Sequence, residues 1–159
     1  MLNYFETLCE KNRLARKHKF KFCKVTNIYT LEDAIANMSR HSAFFCVDTV
    51  VDGFVVQGNG GGFAERITYV VYLLKSAKID DADSIYKEME ICRQLRRQIC
   101  SRLLADSLTM EELNYLNKDR MNFRELDTAV LSGCTGTYIT FSVDHPLDLI
   151  MEEDEWDEK

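Results

Sequence analysis

The sequence is short of the residues and runs that mark several protein classes. Its 159 residues include one proline and seven glycines, and they contain no low-complexity tract. These scarcities exclude collagen-like, proline-rich and wholly disordered proteins. No apolar run approaches the roughly 18 residues of a membrane span, and the opening residues MLNYFETLCEKNRLARKH lack the apolar stretch of a signal peptide. We therefore expect a soluble protein, used inside a cell, with no membrane partner.

Residues that often carry chemistry are present without a recognisable pattern. No CxxC or CxxH pair occurs among the six cysteines, which we interpret as reduced and mainly apolar in role. His18, His41 and His145 have no local catalytic signature, and paired carboxylates stand where helices are expected to start, which suits the helix dipole. The sequence predicts no catalytic residue, no metal and no cofactor, and hence a protein that is not an enzyme.

The chain has the composition of a globular protein, and its basic and acidic residues are concentrated in different segments. Hydrophobic residues make up 46% and charged residues 29%, and neither a linker nor an internal repeat interrupts the chain. Residues 11–24 carry seven Lys or Arg and no acid, whereas residues 152–159, EEDEWDEK, carry six acids and one base. We predict a single domain over residues 1–151, followed by an acidic tail at 152–159.

The two charged segments are candidate interfaces. The basic segment offers Lys17, Lys19 and Lys21, and the acidic tail offers Asp154 and Trp156. A basic cluster can hold phosphate backbones, but a pI of about 5.1 and the lack of a second such cluster argue against nucleic acid as a partner. Each segment also has a simpler interpretation: a solvated helix face with an adjoining edge strand for the first, and a solubilising tail for the second.

A change of hydrophobic period to two predicts a long hairpin in the middle of the chain. AFFCVDTVVDGFVVQ and RITYVVYLLKSAKI are rich in β-branched and aromatic residues. The glycine-rich loop between them is followed by a strand pattern, whereas a phosphate loop is followed by a helix and, in the Walker type, contains Lys-Ser/Thr. We therefore predict a mobile, partner-binding hairpin tip rather than a phosphate loop. The loop residues are Gly58, Asn59, Gly60, Gly61 and Gly62.

The second strand of this hairpin has two apolar faces. Tyr69 lies on one face and Tyr72 on the other, and both are candidates for contact with a neighbouring subunit. Because both faces must be covered, we expect a helix on one and a second cover, such as a neighbouring copy, on the other.

Apolar spacing predicts the helices. A first helix is expected up to about Lys17, a short edge strand at KFKFCKV, and a second helix over residues 31–38 behind a capping box at Thr30. The clearest helix runs from about residue 81 to 106, and Arg96 projects near the middle of its apolar stripe as a candidate buried charge, paired with a core carboxylate or binding an anion. A capping box at Thr109 predicts one more helical turn.

The last ordered segment predicts a second hairpin. Its strands are expected at residues 126–132 and 137–144, with Gly133 and Gly136 in the turn and Pro146 ending the second strand. The resulting fold class is α+β: an antiparallel sheet of about four to five strands packed on one long helix, with short N-terminal helices.

This order of elements resembles a family of phage proteins. A hairpin with a glycine tip, one long helix, and a final hairpin reading YITFSVDHPLDL before an acidic Trp-containing tail are similar to the tail-terminator and tail-completion (head-tail joining) proteins of long-tailed bacteriophages, including phages or prophages of Bacteroides-type hosts. The resemblance covers roughly residues 31–156. It implies a non-enzymatic structural subunit that assembles into a ring at the end of the tail tube or at the head-tail junction.

The resemblance also implies partners and a location. The partners are other copies of the chain and phage tail-tube or neck proteins, and the location is the bacterial host cytoplasm during assembly and then the virion. The alternative is an intracellular adaptor or regulator that binds a partner protein through its acidic tail or its basic N-terminal segment.

Overall fold

The computed structural model describes residues 1–37, 41–58, 60–131 and 133–150, with backbone alone at 28, 29 and 129–131. Asn59 and the acidic tail with Asp154 and Trp156 lie outside the described residues. The elements in chain order are α1 (Leu2–Lys11), α2 (Arg13–Lys17), β1 (Lys21–Val25), α3 (Ile28–Asn37), β2 (Ala43–Asp48), β3 (Asp52–Gln57), β4 (Phe63–Ser76), α4 (Ala82–Asp106), β5 (Asn122–Leu131) and β6 (Cys134–Leu147). Two short 3-10 helices, Glu111–Leu113 and Lys118–Arg120, precede β5.

The fold is α+β, but its sheet is larger than the sequence predicts and it is mixed. Six strands take part, in the order β1-β2-β4-β6-β5, and β3 pairs with β4 on the same side as β2. The prediction of an antiparallel sheet of four to five strands is wrong at β1, which pairs with β2 in parallel. Parallel neighbours need a crossover connection, and α3 provides it.

Asparagine side chains cap the starts of two N-terminal helices, α2 and α3. The single helix predicted up to Lys17 is divided at Asn12, whose side chain accepts a hydrogen bond from the backbone N–H of Ala15 and so caps α2. α3 begins one turn earlier than predicted. There Asn27 Oδ1 accepts from the N–H of Thr30, while Thr30 Oγ1 accepts from the N–H of Asn27, which is a reciprocal capping box.

The core lies on both faces of the sheet. On the first face, α1 and the apolar stripe of α4 pack against β2, β4 and β6. On the second face, Leu31 of α3 is fully buried beside Phe44 and Leu74. The predicted need for two covers is therefore met, for part of the second face, by α3 of the same chain. The predicted stripe on α4 is confirmed, with Met89, Cys92, Leu95, Ile99 and Leu103 all buried.

Arg96 is a largely buried charge on this long helix. Its side chain is 12% exposed, and Nη1 lies 3.7 Å from Glu125 Oε1 and 3.4 Å from Thr137 Oγ1. The guanidinium also lies 3.5 Å from the centre of the Phe123 ring, a cation–π distance. Arg96 therefore anchors α4 on β5 and β6, which favours the structural interpretation over an anion-binding one.

The final hairpin is longer than predicted. Gly136 belongs to β6 rather than to the turn, and β6 continues through Pro146 to Leu147. The N–H of Asp144 points away from β4 and donates to the carbonyl of Tyr115. Because backbone directions repeat every two residues along a strand, the nitrogen of Pro146 also points away from β4. Because that side of β6 has no described partner beyond residue 144, the missing N–H of proline breaks no bond of the β4 ladder.

The turn after α4 also differs from its prediction. Thr109 does not cap the 3-10 helix at Glu111–Leu113, whose N-cap is Met110 with no side-chain cap bond. The Thr109 hydroxyl instead donates a weak bond of 3.5 Å to the Asp106 carbonyl at the end of α4.

We expect Gly136→Ala to destabilise the fold by about 3 kcal/mol, because overpacking against a rigid backbone is costly. Gly136 faces Leu74 in the β4–β6 ladder, and a Cβ atom there would run into the carbonyl oxygen of Leu73. Urea unfolding measures the change. The matched control is Gly60→Ala, whose Cβ would meet nothing within 4 Å. Equal stability of the two variants would contradict this close strand approach.

Candidate functional site

Exposed apolar side chains cluster on a hairpin arm, which we define as β3 together with residues 63–68 of β4. The register runs from Asp52 opposite Thr68 to Gln57 opposite Phe63. Within the described residues, β3 pairs only with β4, so its outer backbone edge is free of strand partners. Gly53 allows this close pairing, because a Cβ there would lie 2.8 Å from the Arg66 carbonyl oxygen.

An interruption of strand pairing before β3 leaves the outer edge of β3 open. Val47 is opposite Val71, and the next pair is Asp52 opposite Thr68, so the intervening residues bulge out of the ladder. Asp48 Oδ1 accepts a hydrogen bond from the N–H of Val50, a local turn that competes with strand pairing. β1, which covers the outer edge of β2, therefore does not continue beside β3.

Apolar side chains emerge from both faces of the arm. Phe54 is 55% exposed and Val55 is 52% exposed, and they point to opposite faces because side chains alternate along a strand. Phe63 lies on the Val55 face and is also exposed. Val50 and Val51, directly before β3, are exposed as well. The arm thus offers apolar contact area and unpaired backbone groups together.

A charged clamp holds the base of the arm to β6. Arg66 donates two hydrogen bonds to Asp144, from Nε to Oδ1 at 2.6 Å and from Nη2 to Oδ2 at 2.7 Å. The same guanidinium lies 5.7 Å from the centre of the Phe54 ring. Hydrogen bonding to Arg66 lowers the pKa of Asp144 and raises the pKa of Arg66. The clamp therefore fixes the direction in which Phe54 is presented.

The glycine-rich loop is the tip of the arm, as the sequence predicts. The N–H of Gly58 donates to the Gly62 carbonyl at 2.8 Å, and the N–H of Gly61 donates to the Gly58 carbonyl at 3.0 Å. Gly61 has φ +85°, a conformation that favours glycine. Gly58, Gly60, Gly61 and Gly62 are all exposed, so they are available to a partner.

The other predicted interface residues are not brought together with the arm. Tyr69 is half-buried on the first face and stacks on Phe141 at 5.5 Å, and burial raises its pKa. Tyr72 is half-buried against Tyr138 on the second face, beside the cluster that α3 covers. Both are therefore mainly core residues. The exposed side chains of Lys17, Lys19 and Lys21 lie at α2 and β1, outside the arm.

Sequence reasoning missed Phe54 and Val55 because it treated residues 43–57 as one strand with a buried face. The available signal was the pair of interruptions in that run, Asp48 and the Asp52-Gly53 step, which disfavour strand continuation. The missed residues matter because they form the exposed part of the arm.

Two other kinds of site are absent from the described residues. Within the described residues, no group of three His, Cys, Asp or Glu side chains is placed to hold a metal ion. No helix of the described part of the chain is long and apolar enough to cross a membrane. In comparisons with known proteins, the chain matched no protein-family model and no curated protein.

We expect Asp144→Asn to cost about 1 kcal/mol of stability at pH 7, since a bidentate, partly buried ion pair is lost. Because Arg66 lowers the pKa of Asp144, the contribution of this pair is present above the ordinary aspartate pKa and is lost as the pH falls through the lowered one. The stability difference between wild type and variant should therefore shrink below about pH 4. Urea unfolding between pH 2.5 and 7 measures it.

The control for this prediction is Asp52→Asn, which removes an exposed carboxylate from the same arm. Its effect should be close to zero at every pH. A difference for Asp144→Asn that does not change with pH would contradict a role for the carboxylate charge.

Proposed function

We propose that this chain is a non-enzymatic structural subunit that associates with copies of itself through the arm. The observation that carries the proposal is the combination, in β3, of a free backbone edge with Phe54 and Val55 each more than half exposed. An edge strand with apolar side chains is a template for pairing with another chain, and monomeric proteins commonly protect such edges with charge, proline or a cover. Among the described residues, β3 has one charge, Asp52 at its first position, and it has no proline and no covering element on its outer edge.

A second copy fits the arm better than a small ligand does. Phe54 and Val55 point to opposite faces of a two-sided hairpin, so covering both needs a surface that wraps the strand. A strand or loop of a neighbouring subunit supplies backbone partners for the edge and apolar contacts for the side chains at the same time. The exposed glycine tip is able to adjust its conformation to such a partner.

A ring forms when the arm contacts a different surface of the next copy. The arm is one surface of the chain, and a partner surface elsewhere on the next copy gives a heterologous contact, which forms a ring when its rotation closes. This fits the resemblance to tail-terminator and tail-completion proteins, so we place the ring at the end of a phage tail tube or at a head-tail junction. Tail-tube or neck proteins are then the further partners, and the virion is the final location.

We expect the purified protein to have a solution mass well above the 18.5 kDa of one chain. The double variant Phe54→Ser, Val55→Ser should need about tenfold or more protein to reach the same mass, because truncating central apolar contacts typically costs over 1 kcal/mol. Light scattering across protein concentration and salt measures this. The arm contact is apolar, so salt should change its strength little.

The matched control is Ile79→Ser, Leu108→Ser, which removes two apolar side chains that are 61% and 73% exposed but lie outside the arm. It should self-associate as the wild type does. A wild-type chain that stays monomeric at every concentration, or a control that weakens assembly as much as the arm variant, would overturn the proposal.

Electron microscopy of the negatively stained protein tests the form of the assembly. Closed rings of one diameter are expected from a heterologous contact that closes. Twofold dimers or open fibres would contradict the ring and, with it, the placement at a tail tube.

A further inference from the structure

A second surface, a groove between α1 and α4, has a different chemistry from the arm. Its volume is about 1060 Å³, at or above the upper end of the range of about 300–1,000 Å³ that is usual for small-molecule pockets. Both walls are helical: α1 with the start of α2 on one side, and the second half of α4 on the other. Asn12 joins the walls, because its Nδ2 donates to Gln98 Oε1 at 2.9 Å. The groove is therefore long and open, with two rigid sides.

The groove has an excess of positive charge. Lys11 and Arg13 on one wall and Arg97 and Arg102 on the other are all exposed. Of the two acids that line the groove, Asp106 is only 5% exposed, and it accepts hydrogen bonds from Arg102 Nε at 2.7 Å and from the Tyr4 hydroxyl at 2.9 Å.

The remaining acid, Glu112, lies at the end of the groove that adjoins Met110. Lys11 and Arg13 have no ion-pair partner among the described residues, and Arg97 makes one solvent-exposed pair with Glu90. The end of the groove near Asn12 and Gln98 thus carries the cations that no described acid neutralises.

The floor of the groove is partly apolar. Ile99 is buried, while Tyr4, Leu8 and Met110 are half-buried and face the groove. A ligand that matches both properties carries several negative charges and at least one large apolar group. Residues 152–159 of this chain, with six acids, one base and Trp156, have that composition.

We propose that the α1–α4 groove binds the acidic segment 152–159 of a second copy of this chain, with its carboxylates on the groove's lysine and arginines and Trp156 on its apolar floor. The proposal deepens the proposed self-association and rests on it for the identity of the partner. A groove and a tail are different surfaces, so successive copies can join head to tail, which is the contact that a ring requires.

The strand before the segment lies beside acidic side chains. The strand that leads to it passes a small cleft lined by Glu111, Glu112 and Asp144, and Asp148 follows. Glu112 also lines the end of the large groove. A neighbour's groove carries the same Glu112, so the choice of a second copy follows from the proposed self-association and not from these charges.

The first experiment measures binding of a fluorescent peptide of residues 150–159 to the full-length chain by anisotropy. The chain carries a neutralised tail, so that its own segment does not compete. The substitutions are Glu152→Gln, Glu153→Gln, Asp154→Asn, Glu155→Gln, Asp157→Asn and Glu158→Gln. Saturable binding is expected, and it should weaken several-fold between about 50 and 300 mM salt, because exposed charge pairs are screened.

The groove is tested by Lys11→Glu, Arg97→Glu in the same chain. We expect this groove variant to bind the peptide about tenfold or more weakly, since two attractive contacts become repulsive. The matched control is Lys87→Glu, Lys118→Glu, which reverses two exposed lysines that do not line the groove, and it should retain the affinity. A peptide with Trp156→Ala should also bind several-fold more weakly. Equal loss in the control would overturn the proposal.

The second experiment decides whether the contact joins two copies. In the Phe54→Ser, Val55→Ser background, the groove variant has an intact tail and the tail-neutralised chain has an intact groove. Neither should form the contact alone, and their mixture should form a one-to-one complex in sedimentation velocity. One combination of results would show that the segment docks within its own chain. The peptide would bind the chain, the mixture would form no complex, and the chain with its native tail would bind the peptide more weakly. That combination would overturn the proposal.

Two further outcomes are separate from these. A single-stranded decanucleotide that binds the groove more tightly than the peptide at about 150 mM salt would overturn the proposal in favour of nucleic acid. If the peptide fails to bind while the wild-type chain still assembles through its arm, this inference fails and the proposed function stands. If the peptide binds but the arm variant assembles as the wild type does, the arm-based function fails instead.

Discussion

The ladder between β4 and β6 is the constraint on which the rest of the structure depends. It contains fourteen consecutive pairs, from Phe63 opposite Leu147 to Ser76 opposite Cys134. At about 3.4 Å per residue, fourteen residues span about 48 Å, whereas the 25 residues of α4 span about 38 Å at 1.5 Å per residue. One helix cannot cover a ladder of this length. The end of the ladder near Phe63 therefore needs either another element or another chain.

The chain's remaining elements cover the opposite end. α3 and β1 form a crossover unit beside β2, and α3 buries the second face around Leu74. The Asp48 turn then bends the chain out of the ladder, so that β3 resumes with no neighbour on its outer side among the described residues. The same local turn thus completes the core at one end and leaves the arm uncovered at the other. This is why the arm, rather than the two tyrosines, is the better candidate interface.

The sequence predicted those features that depend on local spacing. The stripe on α4, the two apolar faces of β4 and the unusual position of Arg96 all follow from periodicity within one element. The features that failed depend on what lies beside an element. Parallel pairing of β1 reflects the tertiary position of α3, and Pro146 is accepted inside β6 because its nitrogen faces the side without a partner. Neither neighbour is visible in the local pattern.

The candidate interface divides in the same way. The charged segments and the glycine tip are compositional, and they were found from sequence alone. Phe54 and Val55 were missed because their alternation is the same whether β3 is covered or not, and the topology shows that no described strand lies on its outer side. Arg97 and Arg102 were missed because each is an ordinary helix-surface arginine until α1 is placed opposite it.

The arm and the groove differ in what each can contribute to an assembly. Burial of Phe54, Val55 and a backbone edge supplies contact strength that salt changes little, but an exposed edge strand also accepts wrong partners and registers. A charge contact at a surface adds less strength and more selectivity, because like-charge placements are rejected and opposite charges steer the approach. If both surfaces act together, the apolar contact determines how stable the assembly is and the charge contact determines which way each copy faces. Raising the salt concentration would then disturb the orientation of the copies before it lowers the stability of the assembly.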